Sequence, residues 1–108
     1  MDKKLVEAVE EKEITCFFNG FDDGMSFVKI TRIVREKIKP DYSTFQGITD
    51  MHGYFDKFGI RVELEYDGMI GNYLVCRGLM DEESINVVKK WARIIFDGLM
   101  DDEKDKLY

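Results

Sequence analysis

The chain has 108 residues, 44% of them hydrophobic and 13% aromatic, a size and composition that suit one compact domain with a real core and argue against disorder. Its 16 Lys and Arg against 22 Asp and Glu give a net charge of -6, which disfavours general attraction to nucleic acid or anionic lipid. The apolar runs are only a few residues long, far short of the roughly 20 that cross a bilayer. Leu5 and Val6 are followed by Glu7 rather than by the apolar stretch of a secretory leader, so a cytoplasmic protein is the expectation.

In chain order, Leu5, Ala8, Val9 and Lys12 recur at helical spacing behind Asp2, which predicts a short helix over residues 2–11. Ile14, Cys16 and Phe18 then alternate with Thr15 and Phe17, a strand over 14–18 closed by the turn-prone Asn19-Gly20-Phe21-Asp22-Asp23-Gly24. Over 25–39 the period is helical at Phe27, Ile30, Val34 and Ile38, with Asp23 or Ser26 to cap it and Pro40 to end it. A strand entered through an Asn-Gly hairpin is the alternative for this segment, because Val28, Thr31, Ile33 and Val34 are β-branched.

Phe45, Ile48, His52, Phe55 and Phe58 share one side of a third expected helix. Ser43 and Gln46 supply a capping pattern and Gly59 a stop, while Gly47 and Gly53 imply close packing, a kink or a break. Ile60, Val62, Leu64 and Tyr66 alternate with Arg61, Glu63 and Glu65 ahead of Asp67-Gly68, a pattern that predicts a hairpin over 60–77 with a two-residue turn. That register sets Tyr66 opposite Met69 and Val62 opposite Tyr73, burying Ile60, Val62, Leu64, Tyr73 and Val75 together. Ile85, Val88, Trp91, Ala92, Ile95 and Leu99 mark the last helix, and residues 101–108 form a charged, fraying tail that Leu107 and Tyr108 could anchor. The fold expected is α+β, with about three antiparallel strands covered on one face by about four helices in a single domain.

Chemistry-bearing motifs are sparse. His52 is the only histidine, which leaves no spare base for a nucleophilic relay and no histidine-rich metal site. Placing Gly24 at the glycine of a calcium loop puts Phe21 and Ile30 where oxygen ligands are required. No glycine is followed by the Lys-Ser/Thr of a phosphate loop, and no cofactor is expected. Cys16 and Cys76 lie 60 positions apart without metal or redox spacing and read as small buried hydrophobes.

Charge is distributed unevenly. Lys29, Arg32, Arg35, Lys37 and Lys39 against Glu36 give that segment +4 and leave -10 for the rest. The reading that follows is a small non-enzymatic binding protein, of the kind that inhibits or confers immunity against a basic protein partner. Its expected contact surface is Glu63, Glu65, Ile70, Leu74, Asp81, Glu82 and Glu83, where carboxylates steer and apolar residues anchor. The basic stripe Lys29, Arg32, Arg35 and Lys39 is the alternative surface. A homo-oligomeric adaptor using the hairpin's mixed outer face is a second reading. The third is a small-ligand or catalytic site assembled from Tyr42, His52, Asp56 and Tyr73.

Overall fold

The structure, a computed structural model, describes residues 2–47, 51–78 and 81–105. Six strands, β1 (Lys4–Glu10), β2 (Glu13–Asn19), β3 (Tyr42–Gln46), β4 (His52–Lys57), β5 (Ile60–Asp67) and β6 (Gly71–Arg77), form one antiparallel sheet in the order β1-β2-β6-β5-β4-β3. Two helices, α1 (Gly24–Ile33) and α2 (Glu82–Asp105), cover one face. The α+β class stands, but the expected three strands and four helices are overturned.

Two of the expected helices are strands. Residues 4–10 pair with β2 from Lys4–Asn19 to Glu10–Glu13 across a two-residue turn at Glu11 and Lys12. Over seven residues the apolar set fits a period of 2 almost as well as 3.6, and pairing with a partner strand outweighs the helical preference of Leu, Ala, Glu and Lys. Residues 42–46 and 52–57 form β3 and β4, paired in register from Tyr42–Asp56 to Gln46–His52. Phe45 and Phe55, expected on a helix, reach the core from two neighbouring strands, and Ile48 lies outside the described residues. Gly59 closes a hairpin rather than a helix, since Phe58 and Gly59 both adopt positive φ between the paired Lys57 and Ile60.

The segment after β2 is helical, as its period implies. Asp23 caps α1 by accepting from the Ser26 amide at 2.8 Å. The helix continues as a π-helical turn over Val34–Ile38 and stops at Lys39, which takes a left-handed conformation before Pro40. Lys57 reaches from β4 to donate to the Ile38 and Lys39 carbonyls, satisfying acceptors at the end of that turn.

The β5–β6 hairpin forms in a different register. Tyr66 pairs with Asn72, not Met69, and Leu64 pairs with Leu74. The Asp67 carboxylate accepts from the Met69 and Ile70 amides at 2.7 and 3.1 Å, which makes Gly68–Ile70 a three-residue turn. Buried Asn72 donates to the Phe21 and Asp23 carbonyls at 2.7 and 3.0 Å, fastening β6 to the loop before α1. A slip of three residues is odd, so it exchanges the faces of β6. Leu74 and Cys76 join Val62 and Leu64 in the core, whereas Tyr73 and Val75 lie on the opposite face with Glu63 and Glu65.

Core residues come from the helix-covered face alone. Ile14, Cys16, Phe18, Phe55, Val62, Leu64 and Leu74 meet Ile30 and Val34 from the first helix and its extension, and Val88, Trp91, Ala92, Ile95 and Leu99 from α2. Residues 101–105 continue α2, and 106–108 lie outside the described residues. Asp102 ties the end of α2 to α1 through Lys29 at 2.9 Å and Arg32 at 3.3 Å. The Lys29 hydrogen bond, opposed by partial burial, holds the Asp102 carboxyl below the ordinary aspartate range. A depressed carboxylate pKa contributes stability above the ordinary range, and the contribution is lost as pH falls through the lowered value. Asp102→Asn is therefore expected to lower the urea midpoint at neutral pH, with the gap to the parent closing in strong acid. A gap that persists in acid would assign the loss to packing instead.

Candidate functional site: the open face of the sheet

With both helices on one side, strand alternation places a second set of side chains on the uncovered side of the sheet. Its middle is apolar: Phe17 of β2 pairs with Tyr73 of β6, their ring centroids 5.8 Å apart, and Thr15 pairs with Val75. Val75 is only 4% exposed although no helix covers it, so its longer neighbours close over it. Val6 and Ala8 extend this area onto β1 opposite Phe17 and Thr15. Toward β3, Tyr42 and Tyr54 bring their rings to 5.9 Å and the Arg61 guanidinium lies 3.9 Å from the Tyr54 ring centroid.

Charges ring the apolar middle. Lys4, Arg61 and Arg77 on this face stand against Glu10, Glu13, Asp56, Glu63, Glu65 and Asp67, three cations to six carboxylates, an excess of three negative charges. Arg61 is held by both Asp56 oxygens at 2.8 and 3.0 Å, and that pairing keeps the Asp56 carboxyl below its ordinary range. Arg77 contacts Glu63 directly and lies 3.8 Å from Glu13. Glu65 forms no ion pair among the described residues and sits beside Tyr73, whose hydroxyl pKa is raised first by burial and then by Glu65 and Asp67.

The residues expected to form a contact surface are divided by this geometry. Glu63 and Glu65 do share the open face. Leu74 does not, being fully buried in the core after the register slip. Ile70 is exposed in the β5–β6 turn, whereas Asp81, Glu82 and Glu83 begin α2 at the other end of the hairpin, where Asp81 shares a cavity with Arg61 and Arg77. Asp81 caps α2 by accepting from the Ser84 amide at 2.7 Å, and those hydrogen bonds hold its carboxyl below the ordinary range. Phe17 and Val75 were missed as site residues, and Tyr73 was named only for a small-ligand site; a three-residue turn in place of the expected two-residue one brings Tyr73 and Val75 to this face.

The basic stripe does not act as one surface. Lys29 and Arg32 are engaged by Asp102, Arg35 lies 5.2 Å from the Phe45 ring, and Lys39 ends the π-helical turn. Tyr42, His52, Asp56 and Tyr73 all fall on the open face, but on three strands, with Gln46 Nε2 3.3 Å from His52 Nε2 and Asp56 committed to Arg61. None of the four lines the described cavities of about 160 to 310 Å3. Among the described residues no His, Cys, Asp and Glu side chains gather as a metal site requires, and no helix is long and apolar enough to cross a membrane.

Cys16 and Cys76 are buried thiols on neighbouring strands, and Cys76 Sγ donates to the Arg61 carbonyl at 3.3 Å. Burial first, reinforced by Glu7 and Glu63 respectively, pushes them up to about 12 and about 11. Since the thiolate is the nucleophile, neither should be alkylated by iodoacetamide in the folded chain at neutral pH, and both should react once it is unfolded. Rapid native labelling of either would show that its strand opens.

No family model, curated protein or solved structure matches the chain.

Proposed function

We propose that the chain is a non-catalytic protein-binding domain that docks its open sheet face onto a basic protein and thereby regulates or inhibits it. The observation that carries this reading is the apolar centre of Phe17, Tyr73 and Val75 set beside carboxylates that outnumber the cations of the same face. Aromatic residues beside a sheltered apolar centre supply the desolvated contact on which binding energy concentrates. Surrounding carboxylates with no cation of their own, Glu65 foremost, accelerate encounter with a positively charged partner. The same excess opposes the meeting of two such faces, which weighs against a homo-oligomer built through this surface.

The test is a binding measurement with partners captured by the chain from its source cells. Glu65→Lys should slow association about tenfold at low ionic strength and flatten its salt dependence. Tyr73→Ala should speed dissociation instead. A partner whose affinity and salt dependence are unchanged in both folded variants would place the interface elsewhere.

A further inference from the structure

The two edges of the sheet differ. β1 carries Lys4, Glu7 and Glu10, a charge every third residue, and charged edges discourage the addition of another strand. β3 reads Tyr42, Ser43, Thr44, Phe45 and Gln46, with neither a charge nor a proline, and among the described residues no strand lies on its outer side. Beside this bare edge a cavity of about 180 Å3 opens between β3 and α1. Phe27, Val28, Phe45 and Met51 form its apolar lining, and Val28 is 51% exposed.

Arg35, at the rim of the same cavity, touches the Phe45 ring but has no carboxylate partner among the described residues. Two other cations of α1, Lys29 and Arg32, are spent on Asp102. An uncharged edge strand next to an apolar trough and an uncommitted guanidinium is the arrangement of strand-addition sites. There, main-chain hydrogen bonds give affinity and pockets for alternate side chains give specificity. A second copy of the chain is the poorer occupant, because β3 carries no carboxylate with which a paired copy of that strand would answer Arg35.

We propose that the groove between β3 and α1 receives an extended segment of a partner protein. The segment adds as a strand to β3, seats an apolar side chain among Phe27, Val28, Phe45 and Met51, and sets a carboxylate against Arg35. This site lies at the sheet's edge on its helix side, away from Tyr73 and Glu65, and does not depend on the reading of the open face.

The experiment is selection of a random-peptide phage library on the full chain, followed by titration of an enriched synthetic peptide monitored through backbone amide NMR. Enriched sequences should combine an aliphatic or aromatic residue with Asp or Glu a few positions away, and shifts should gather in residues 42–46 and 27–35. Val28→Glu and Arg35→Glu, both at exposed positions, should each weaken binding about tenfold or more, and Arg35→Glu should turn the selected charge from acidic to basic. Glu65→Lys and Tyr73→Ala should leave the peptide affinity unchanged, which separates this site from the open face. Failure to enrich any peptide, binding that survives Val28→Glu, shifts confined to the open face, or a dimer paired through β3 would each overturn the proposal.

Discussion

Trp91→Ala is expected to remove about 3–5 kcal/mol of stability, through lost transfer energy and the cavity left behind. Trp91 is 5% exposed on α2, its ring 5.6 Å and tilted 64° from fully buried Phe55, and Phe58 stacks on its outer side at 6.3 Å. Among the described residues no other side chain links α2 to the β4–β5 end of the sheet through two aromatic contacts. Such pairs contribute about 0.5–1.5 kcal/mol beyond their burial. The loss would be a large share of the about 5–15 kcal/mol that holds an ordinary domain together. Urea denaturation followed by far-ultraviolet circular dichroism measures it, and Trp91→Phe, which keeps an aromatic ring in the site, should recover part of the loss. An unmoved midpoint in the alanine variant would mean that α2 is peripheral to the core.

Residues of the last helix were legible because one amphipathic pattern ran through about four turns, from Ile85 to Leu99, long enough to separate a period of 3.6 from one of 2. β1 and β4 were not, being six or seven residues each, so the same apolar positions satisfy both periods. What decides between them is the neighbouring strand, which lies outside any local window. Phe45 and Phe55 illustrate it: ten positions apart, they fit one helical stripe, yet they reach the core from adjacent strands. The candidate site suffered from a finer ambiguity. Alternation in residues 60–66 and the location of the hairpin were both plain, but Asp67-Gly68 reads as the turn itself when Asp67 is instead its capping acceptor. That difference moves Leu74 into the core and brings Tyr73 and Val75 out beside Glu63 and Glu65. Position 72 held the remaining information, since a buried asparagine must find partners, and its partners are carbonyls some fifty residues away.

Gly53→Ala should destabilise the chain by about 1–3 kcal/mol or more and loosen β3 before the rest of the sheet. A methyl group on Gly53 would sit 2.2 Å from the Thr44 carbonyl oxygen and 2.7 Å from the Phe45 Cα, with a Phe45 ring carbon at 2.6 Å. Rotating the ring relieves only the last of these; the other two atoms are backbone, so β3 must shift away from β4. Among the described residues β4 is the only strand that β3 pairs with, and displacement at the Phe45–Gly53 pair leaves the edge strand no second described strand to hold it. Amide hydrogen exchange should accordingly report lost protection in 42–46 at denaturant concentrations where β2, β5 and β6 remain protected. Gly68→Ala is the control, because a methyl there meets no atom within 4 Å. Unchanged protection of β3 in Gly53→Ala would refute the β3–β4 register, and with it the peptide groove. Loss of protection should carry loss of peptide binding with it, while the open face, built on β2, β5 and β6, keeps its partner.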